Sequence, residues 1–213
     1  MELYGYWRSS AAYRVRIALH LKGLQATQHF VNLRADEQGS EVHRRLDPLG
    51  RVPVLVDDGH RFTQSLAILE YLEERYPAPP LLPAAAADRT RVRALAQIVA
   101  CDMHPLNNLS TLRYLQETLG VSDEQKTAWY RYWIASGFTA LEAMLAGDRR
   151  TGMFCHGDSP GLADVCLVPQ LYNARRFDCD LAAYPTIVRV DATCAKLDAF
   201  AQAVPEAQAD AAL

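Results

Sequence analysis

Residues 1–23, MELYGYWRSSAAYRVRIALHLKG, place a short strand pattern directly before a helix pattern. The stretch from Leu3 to Trp7 alternates in the manner of a strand. Residues 11–22 then repeat apolar positions at helical spacing, and Gly23 follows where helix C-termini favour glycine. The chain therefore opens with a strand that leads at once into a helix.

The same mixed pattern continues to about residue 76. We predict a strand at 27–33, a short helix at 41–46, strands at 52–56 and 60–62, and a helix at 66–76. Asp57-Asp58-Gly59 between the last two strands is a strong hairpin signal. The order β-α-β-α-β-β-α predicts a parallel crossover followed by an antiparallel hairpin, which is a thioredoxin-like α/β domain.

A composition change marks the end of this domain. Residues 77–87, PAPPLLPAAAA, are rich in proline and alanine and break the periodic pattern. We therefore predict a first domain at 1–80, a linker at 81–87 and an all-helical second domain at 88–213. In that domain we expect a long helix at 89–119 kinked by Pro105, a helix from a Ser122–Gln125 capping box to 146, and helices at 161–172 and 185–203.

Composition and charge exclude several classes of protein. Half of the 213 residues are apolar and the net charge is −3, which disfavours an extended nucleic-acid surface. The sequence contains no run of 18 apolar residues, so we expect no membrane span. The opening MELYGYW lacks the pattern of a secretory signal. The five cysteines include no CxxC and the six histidines no HExxH, so we expect reduced thiols, no metal and a cytoplasmic protein.

Three short segments could carry chemistry. Arg8-Ser9-Ser10 puts hydroxyls at a helix N-terminus, where N–H groups and the macrodipole stabilise negative charge. Val52-Pro53 opens a strand, and we expect a cis bond there, which would turn the Val52 backbone toward an extended peptide. Gln64-Ser65 stands at a helix start that suits a carboxylate. Taken separately, each segment also fits a structural use, as an N-cap serine or a strand-entry proline.

Taken together, these segments resemble the glutathione transferase family in order and spacing. The best match is the zeta class, the maleylacetoacetate isomerase group, which includes the bacterial maleylpyruvate isomerases. The matching stretches are RSSAAYRVRIALHLKG at 8–23, VP at 52–53, QSLAILEYLEERYP at 64–77, CDMHPLNNLSTL at 101–112, LADVCLVPQLYNARRF at 162–177 and YPTI at 184–187. The resemblance covers nearly the whole chain and implies the two-domain glutathione transferase fold.

The resemblance also implies roles for individual residues. It implies that Ser9 and Ser10 are the catalytic candidates and that Arg8 and Arg176 face the carboxylates of an acidic substrate. It implies glutathione contacts from Ser9, Ser10, Ala11, Arg14, Gln38, Val52, Pro53, Gln64, Ser65, His104, Asn108 and Ser110, with Leu109 beside them. Glutathione is therefore the expected cofactor, a maleyl keto acid the expected substrate and a homodimer the expected assembly.

A serine hydroxyl fits the chemistry that this resemblance implies. Free thiols titrate near pH 8.5, and a hydroxyl donor at a helix N-terminus would favour the thiolate. The thiolate would add to the maleyl double bond, allow rotation and leave, which returns glutathione. We expect Ser9 rather than Ser10 to contact the sulfur, because Ser9 lies nearer the strand end. We expect Tyr4 and Tyr6, on one strand face, to be buried.

Three departures from the family pattern are visible. Ala11 replaces a cysteine beside the site, Gly161 replaces a Ser or Thr helix cap, and Asp47 replaces an asparagine before Pro48.

Two other functions stay open: a transferase that conjugates small electrophiles, and a non-catalytic glutathione-transferase-like binding module. Ala11-Ala12 disfavours a thioredoxin-type disulfide oxidoreductase, because its active thiols would lie there.

Overall fold

The computed structural model describes residues 1–212, which divide into two compact units. The first unit is Met1–Leu81 together with the segment that begins at Ala195, and the second is Leu82–Cys194. This division differs from the predicted second domain of 88–213. The C-terminal segment belongs to the first unit because buried polar groups of that unit bind it: Arg16 donates to the Ala203 carbonyl at 3.2 Å.

The first unit contains a four-stranded sheet and the helices that pack on it. Its strands and main helices are β1 (Glu2–Gly5), α1 (Ser10–Leu21), β2 (Thr27–Phe30), α2 (Glu41–Arg44), β3 (Val54–Asp57), β4 (His60–Thr63) and α3 (Ser65–Arg75). The strand order is β2-β1-β3-β4, with β1 parallel to β2 and the other two pairings antiparallel. The predicted thioredoxin-like order of elements is confirmed.

Helix α1 is the central helix of this unit. Every residue from Ala12 to Leu19 is buried, including Arg14 and Arg16, and α1 packs against α3. Strand β1 stops at Gly5, earlier than predicted, because the Ser9 N–H donates to the Tyr6 carbonyl at 3.0 Å and closes a turn. This turn separates the sheet from the start of α1.

A buried lysine fixes the end of the first unit. Lys22 Nζ donates to Glu73 Oε2 at 2.9 Å and to the carbonyls of Tyr76 at 2.8 Å and Pro79 at 2.9 Å. The Leu81 N–H donates to the same Glu73 oxygen at 2.8 Å. These bonds hold the proline-rich stretch against the ends of α1 and α3.

The second unit is helical throughout its described elements. They are α4 (Ala86–Gln97), α5 (Leu109–Arg113), α6 (Asp123–Ala146), α7 (Leu162–Arg176) and α8 (Pro185–Cys194). The predicted long helix is interrupted by a π-helical turn at Ile98–Met103, a 3-10 turn at His104–Asn107 and a second π-helical turn at Tyr114–Thr118. The interruption begins at Ile98, and Pro105, where we predicted a kink, lies in the 3-10 turn that follows. The Ser122–Gln125 capping box is confirmed.

The C-terminal segment contains α9 (Asp198–Ala201) and two 3-10 turns, Pro205–Ala207 and Ala209–Ala212. The predicted helix at 185–203 is thus two helices, α8 and α9, one in each unit. Helix α9 packs on α1. Within residues 1–212, no helix is both long and apolar enough to cross a membrane.

Candidate functional site

The first candidate element is the turn that joins β1 to α1. Ser9 is the N-cap of α1, and its Oγ accepts a hydrogen bond from the Ala12 N–H at 3.3 Å. Because Ser9 accepts that bond, its hydroxyl hydrogen can donate to a negatively charged group outside the helix. Ser10 is the first residue of the helix and is only 7% exposed, whereas Ser9 and Ala11 are half-buried. Of the two serines, Ser9 is the better placed to meet a ligand.

Arg8 lies in the same turn and is backed by an aromatic ring. Its guanidinium carbon is 5.2 Å from the centroid of the Trp7 ring, a cation–π contact. The Arg8 side chain is half-buried. A guanidinium held against a ring keeps its donors available for a carboxylate.

A second element of the first unit is the start of α3. Arg14 is 1% exposed, and its Nη1 donates to Ser65 Oγ at 3.2 Å. The Ser65 hydroxyl can therefore donate to an anion at this helix N-terminus. The preceding residue, Gln64, is exposed and has φ 65°, a left-handed conformation that is costly for a residue other than glycine. The structure thus brings Arg14 to Ser65, next to Gln64 in the chain, although the resemblance implied a contact of Arg14 on the thiol side.

Two tyrosines near the first strand differ in burial. Tyr6 is 8% exposed, as expected. The prediction for Tyr4 is wrong, because Tyr4 is half-exposed, stacks on His29 with centroids 4.4 Å apart and donates to Glu2 Oε2 at 3.2 Å. Burial and the bond to Glu2 raise the pKa of Tyr4, which makes it a poor source of a phenolate.

The loop before β3 supports the Val52–Pro53 bond, which is cis as predicted. Asp47 is buried and its carboxylate accepts from the Leu49 N–H at 3.1 Å and the Arg51 N–H at 3.0 Å. A carboxylate can therefore replace the usual asparagine without loss of these bonds. Val52 is half-buried and Pro53 is buried.

Gln38 lies in the 3-10 turn Glu37–Gly39. Its Nε2 donates to Asp36 Oδ1 at 2.6 Å. Its Oε1 is buried and accepts no hydrogen bond from residues 1–212. A buried acceptor of this kind suits a donor N–H from a ligand.

In the second unit, the HPLNN segment at 104–108 is hydrogen-bonded to α6. The Trp129 Nε1–H donates to the Leu106 carbonyl at 2.8 Å, and Asn107 Nδ2 donates to the Tyr130 carbonyl at 3.3 Å. Asn108 is the N-cap of α5, and its side chain accepts from the Ser110 N–H. The predicted contacts His104, Asn108, Leu109 and Ser110 are all half-buried or exposed.

The two arginines at the end of α7 have different surroundings. Arg175 Nη2 donates to Asp191 Oδ2 at 2.6 Å, a salt bridge to α8 within the second unit. The Arg176 guanidinium carbon lies 4.7 Å from the Phe177 ring centroid. Phe177 in turn stacks on the buried Tyr130 ring, with centroids 3.6 Å apart. Arg176 is exposed and contacts the Phe177 ring of this stacked pair.

Gly161 keeps half of a capping box at the start of α7. Asp164 Oδ2 accepts from the Gly161 N–H at 2.8 Å, and its Oδ1 accepts from the Cys155 N–H at 2.8 Å. Burial raises the pKa of Asp164, and these backbone donors oppose the rise. The glycine therefore removes the Ser or Thr side-chain bond but leaves the return bond in place.

Sequence reasoning missed three supporting residues. Asn107 was visible within HPLNN, but its buried amide bond to α6 was not predicted. Arg16 was visible as a second basic residue in an apolar helix, two positions after Arg14. Asp210 accepts from the Trp7 N–H at 2.8 Å. No local pattern indicated Asp210, because its partner is 203 positions away.

Comparison with known proteins places these elements in a family. Residues 1–74 match the model of the glutathione S-transferase N-terminal domain. The chain is 52% identical to a probable maleylacetoacetate isomerase of Vibrio cholerae, over 98% of this chain and 97% of the relative.

Solved structures match over the same length. A holo structure of maleyl pyruvate isomerase, a bacterial zeta-class glutathione S-transferase, superposes with a TM-score of 0.97 at 49% identity, covering 99% of both chains. Maleylacetoacetate isomerase of Anaeromyxobacter dehalogenans, with glutathione bound in its active site, superposes with a TM-score of 0.88 at 48% identity, covering 99% and 97%. The predicted transferase fold is confirmed.

Proposed function

The chain belongs to the zeta class of the glutathione transferases, the maleylacetoacetate isomerase group, and from that premise we propose that it isomerises a maleyl keto acid with glutathione as cofactor. The observation that carries the proposal is the Ser9 hydroxyl, which accepts from the Ala12 N–H at the start of α1 and can donate outward. A relative of this group is a maleylpyruvate isomerase of Ralstonia sp., 49% identical over the whole chain. Either maleylpyruvate or maleylacetoacetate fits as the substrate.

The residues of the first unit fit a bound glutathione. The helix start at Ser65, with Gln64 before it, suits the γ-glutamyl carboxylate, and Arg14 orients the serine hydroxyl. The Val52 backbone, next to the cis bond, suits the cysteinyl backbone. The buried Gln38 Oε1 suits a donor near the glycyl end.

The protein's part in the reaction is to stabilise negative charge on the glutathione sulfur and to position the reacting groups. The chemistry that glutathione supplies when bound is a nucleophilic thiolate, whose reversible addition to the maleyl double bond permits rotation to the fumaryl product. Ser9 donates to the sulfur and the N-terminus of α1 favours its negative charge. Burial of Ser10 leaves Ser9 as the donor.

Two arginines supply the charge that a diacid requires. Arg8, over Trp7, and Arg176, over Phe177, are the proposed carboxylate contacts. A guanidinium stays charged and binds a carboxylate through two parallel bonds. His104, Asn108 and Ser110 are proposed to add polar contacts from the second unit. We further propose a cytoplasmic homodimer, in keeping with the family resemblance.

The test compares two adjacent arginines. Arg176→Met should reduce kcat/KM for a maleyl keto acid about 10- to 150-fold, because one charge-assisted contact is lost. Conjugation of an uncharged electrophile should be little changed. Arg175→Met is the matched control, because Arg175 pairs with Asp191, and it should leave both activities near their original values. Equal effects of the two substitutions on the maleyl acid would contradict the carboxylate role of Arg176.

A conjugating transferase is the second candidate function, because the same serine would activate glutathione for either reaction. A conjugating transferase has no need of arginines that bind carboxylates, since a neutral electrophile presents no carboxylate. The proposed carboxylate contacts of Arg8 and Arg176 therefore favour the isomerase.

A further inference from the structure

The position of Ser9 depends on a four-residue turn. The Ser9 N–H donates to the Tyr6 carbonyl at 3.0 Å, and the Ser9 carbonyl accepts the first helical bond, from the Tyr13 N–H at 2.8 Å. Ser9 therefore belongs to the turn through its N–H and to α1 through its carbonyl. A shift of the turn would move the Ser9 hydroxyl relative to the helix terminus.

Two buried charged side chains hold this turn from within the same unit. Arg16, 4% exposed, donates from Nη2 to the Trp7 carbonyl at 2.8 Å and from Nη1 to the Tyr6 carbonyl at 3.5 Å. Asp210, 6% exposed, accepts from the Trp7 N–H at 2.8 Å. The backbone donor and acceptor of Trp7 are thus both bound by buried charges.

These two side chains are also coupled to each other through the C-terminal segment. Arg16 Nε donates to the Ala203 carbonyl at 3.2 Å, and Ala203 and Asp210 belong to the same segment. Burial lowers the pKa of Arg16 to about 10, while the charges of Tyr13 and Asp210 act in the opposite direction. Arg16 is therefore still a cation at neutral pH, and Asp210 contributes the complementary negative charge.

We propose that Asp210 is a positioning residue for the thiol-activating serine: by accepting the Trp7 N–H, it fixes the turn that sets the Ser9 hydroxyl. The inference rests on the proposed function, in which Ser9 donates to the glutathione sulfur. It gives the C-terminal segment a part in catalysis through the turn that Asp210 holds. This role requires a hydrogen-bond acceptor at the correct distance from the Trp7 N–H, and a negative charge alone does not fulfil it.

Three substitutions at one position separate distance from charge. Asp210→Asn keeps an acceptor oxygen in place without the charge, Asp210→Glu keeps the charge but moves the oxygen by one methylene, and Asp210→Ala removes both. Asp198→Ala is the control, because Asp198 is an exposed aspartate of the same segment. The readouts are the pKa of the bound glutathione thiol, from its ultraviolet thiolate band, the glutathione Kd and the urea unfolding midpoint.

Asp210→Asn and Asp198→Ala should leave the bound-thiol pKa unchanged. Asp210→Glu and Asp210→Ala should reduce the thiolate-to-thiol ratio about three- to tenfold at a fixed pH, a rise of about half to one pKa unit. If Asp210→Ala does not fold, the bound-thiol pKa of Asp210→Asn compared with that of Asp210→Glu decides whether the proposal holds. A fall in the unfolding midpoint with the thiol pKa unchanged in Glu and Ala would overturn the proposal, as would a full effect in Asn.

Ser9→Ala separates this inference from the proposed function. If Ser9→Ala raises the bound-thiol pKa and the Asp210 variants do not, the positioning role is refuted and the proposed function stands. If Ser9→Ala also leaves the pKa unchanged, the activating role of Ser9 is refuted as well.

Discussion

Ser9→Ala removes two interactions with one oxygen atom. In the free protein, Ser9 Oγ accepts from the Ala12 N–H at 3.3 Å and caps α1. In the proposed reaction the same hydroxyl donates to the glutathione sulfur. The substitution should therefore affect both stability and thiol ionisation, and the two effects can be measured separately.

The sizes of the two effects follow from the contacts. Loss of a serine N-cap costs about 1 kcal/mol of stability. Loss of a hydrogen bond to a charged group costs about 1.5–3 kcal/mol, which corresponds to about one to two pKa units for the bound thiol. The sign is a rise, because the hydroxyl stabilises only the thiolate. At neutral pH, kcat should fall as the thiolate fraction falls.

A second N-cap serine provides the matched control. Ser122 Oγ accepts from the Gln125 N–H at 3.2 Å at the start of α6, so Ser122→Ala loses a similar cap on a helix of the second unit. The assay is a pH titration of the thiolate band with glutathione bound, beside urea unfolding. We expect both variants to lose stability and Ser9→Ala alone to raise the thiol pKa. An unchanged thiol pKa in Ser9→Ala, with a rise in Tyr6→Phe, would refute the reasoning.

Two further predictions concern stability and reactivity. Lys22→Met should lower the free energy of unfolding by about 3–5 kcal/mol, since it leaves Glu73 buried without its cation. The more exposed pair of Lys126 and Asp123 is the comparison, and Lys126→Met should change the urea unfolding midpoint far less than Lys22→Met does; equal losses would contradict this. Because Ala11 stands where the family has a cysteine, a thiol-alkylating agent should leave activity largely intact. Rapid inactivation that S-methylglutathione prevents, a ligand without a free thiol to consume the reagent, would show that another cysteine lies in the site.

Elements with a local period could be predicted from the sequence. The strand and helix patterns before residue 76 indicated the order of strands and helices along the chain, and the capping box at Ser122 marked a helix start. The Val52–Pro53 step indicated the cis bond once it was read with its neighbours. These features depend on residues that are close in sequence.

Features that depend on distant partners could not be predicted in this way. Asp210 binds the Trp7 N–H across the length of the chain, and a bond to a backbone N–H leaves no pattern at either position. The 185–203 stretch has helical spacing throughout, so the division into α8 and α9 was not visible. The π-helical turn at Ile98–Met103 was hidden for a similar reason, because it inserts into a periodic pattern without a marker residue.

The central claim is that glutathione acts as a recycled cofactor in cis–trans isomerisation. The most direct measurement follows free thiol and fumaryl product together, with a limiting amount of glutathione and an excess of maleylpyruvate or, in parallel, maleylacetoacetate. We predict no product without glutathione, many turnovers per glutathione molecule with it, and a constant free-thiol concentration at completion. Loss of one thiol for each maleyl acid consumed would show a conjugating transferase instead, and no turnover with either acid would indicate a binding module.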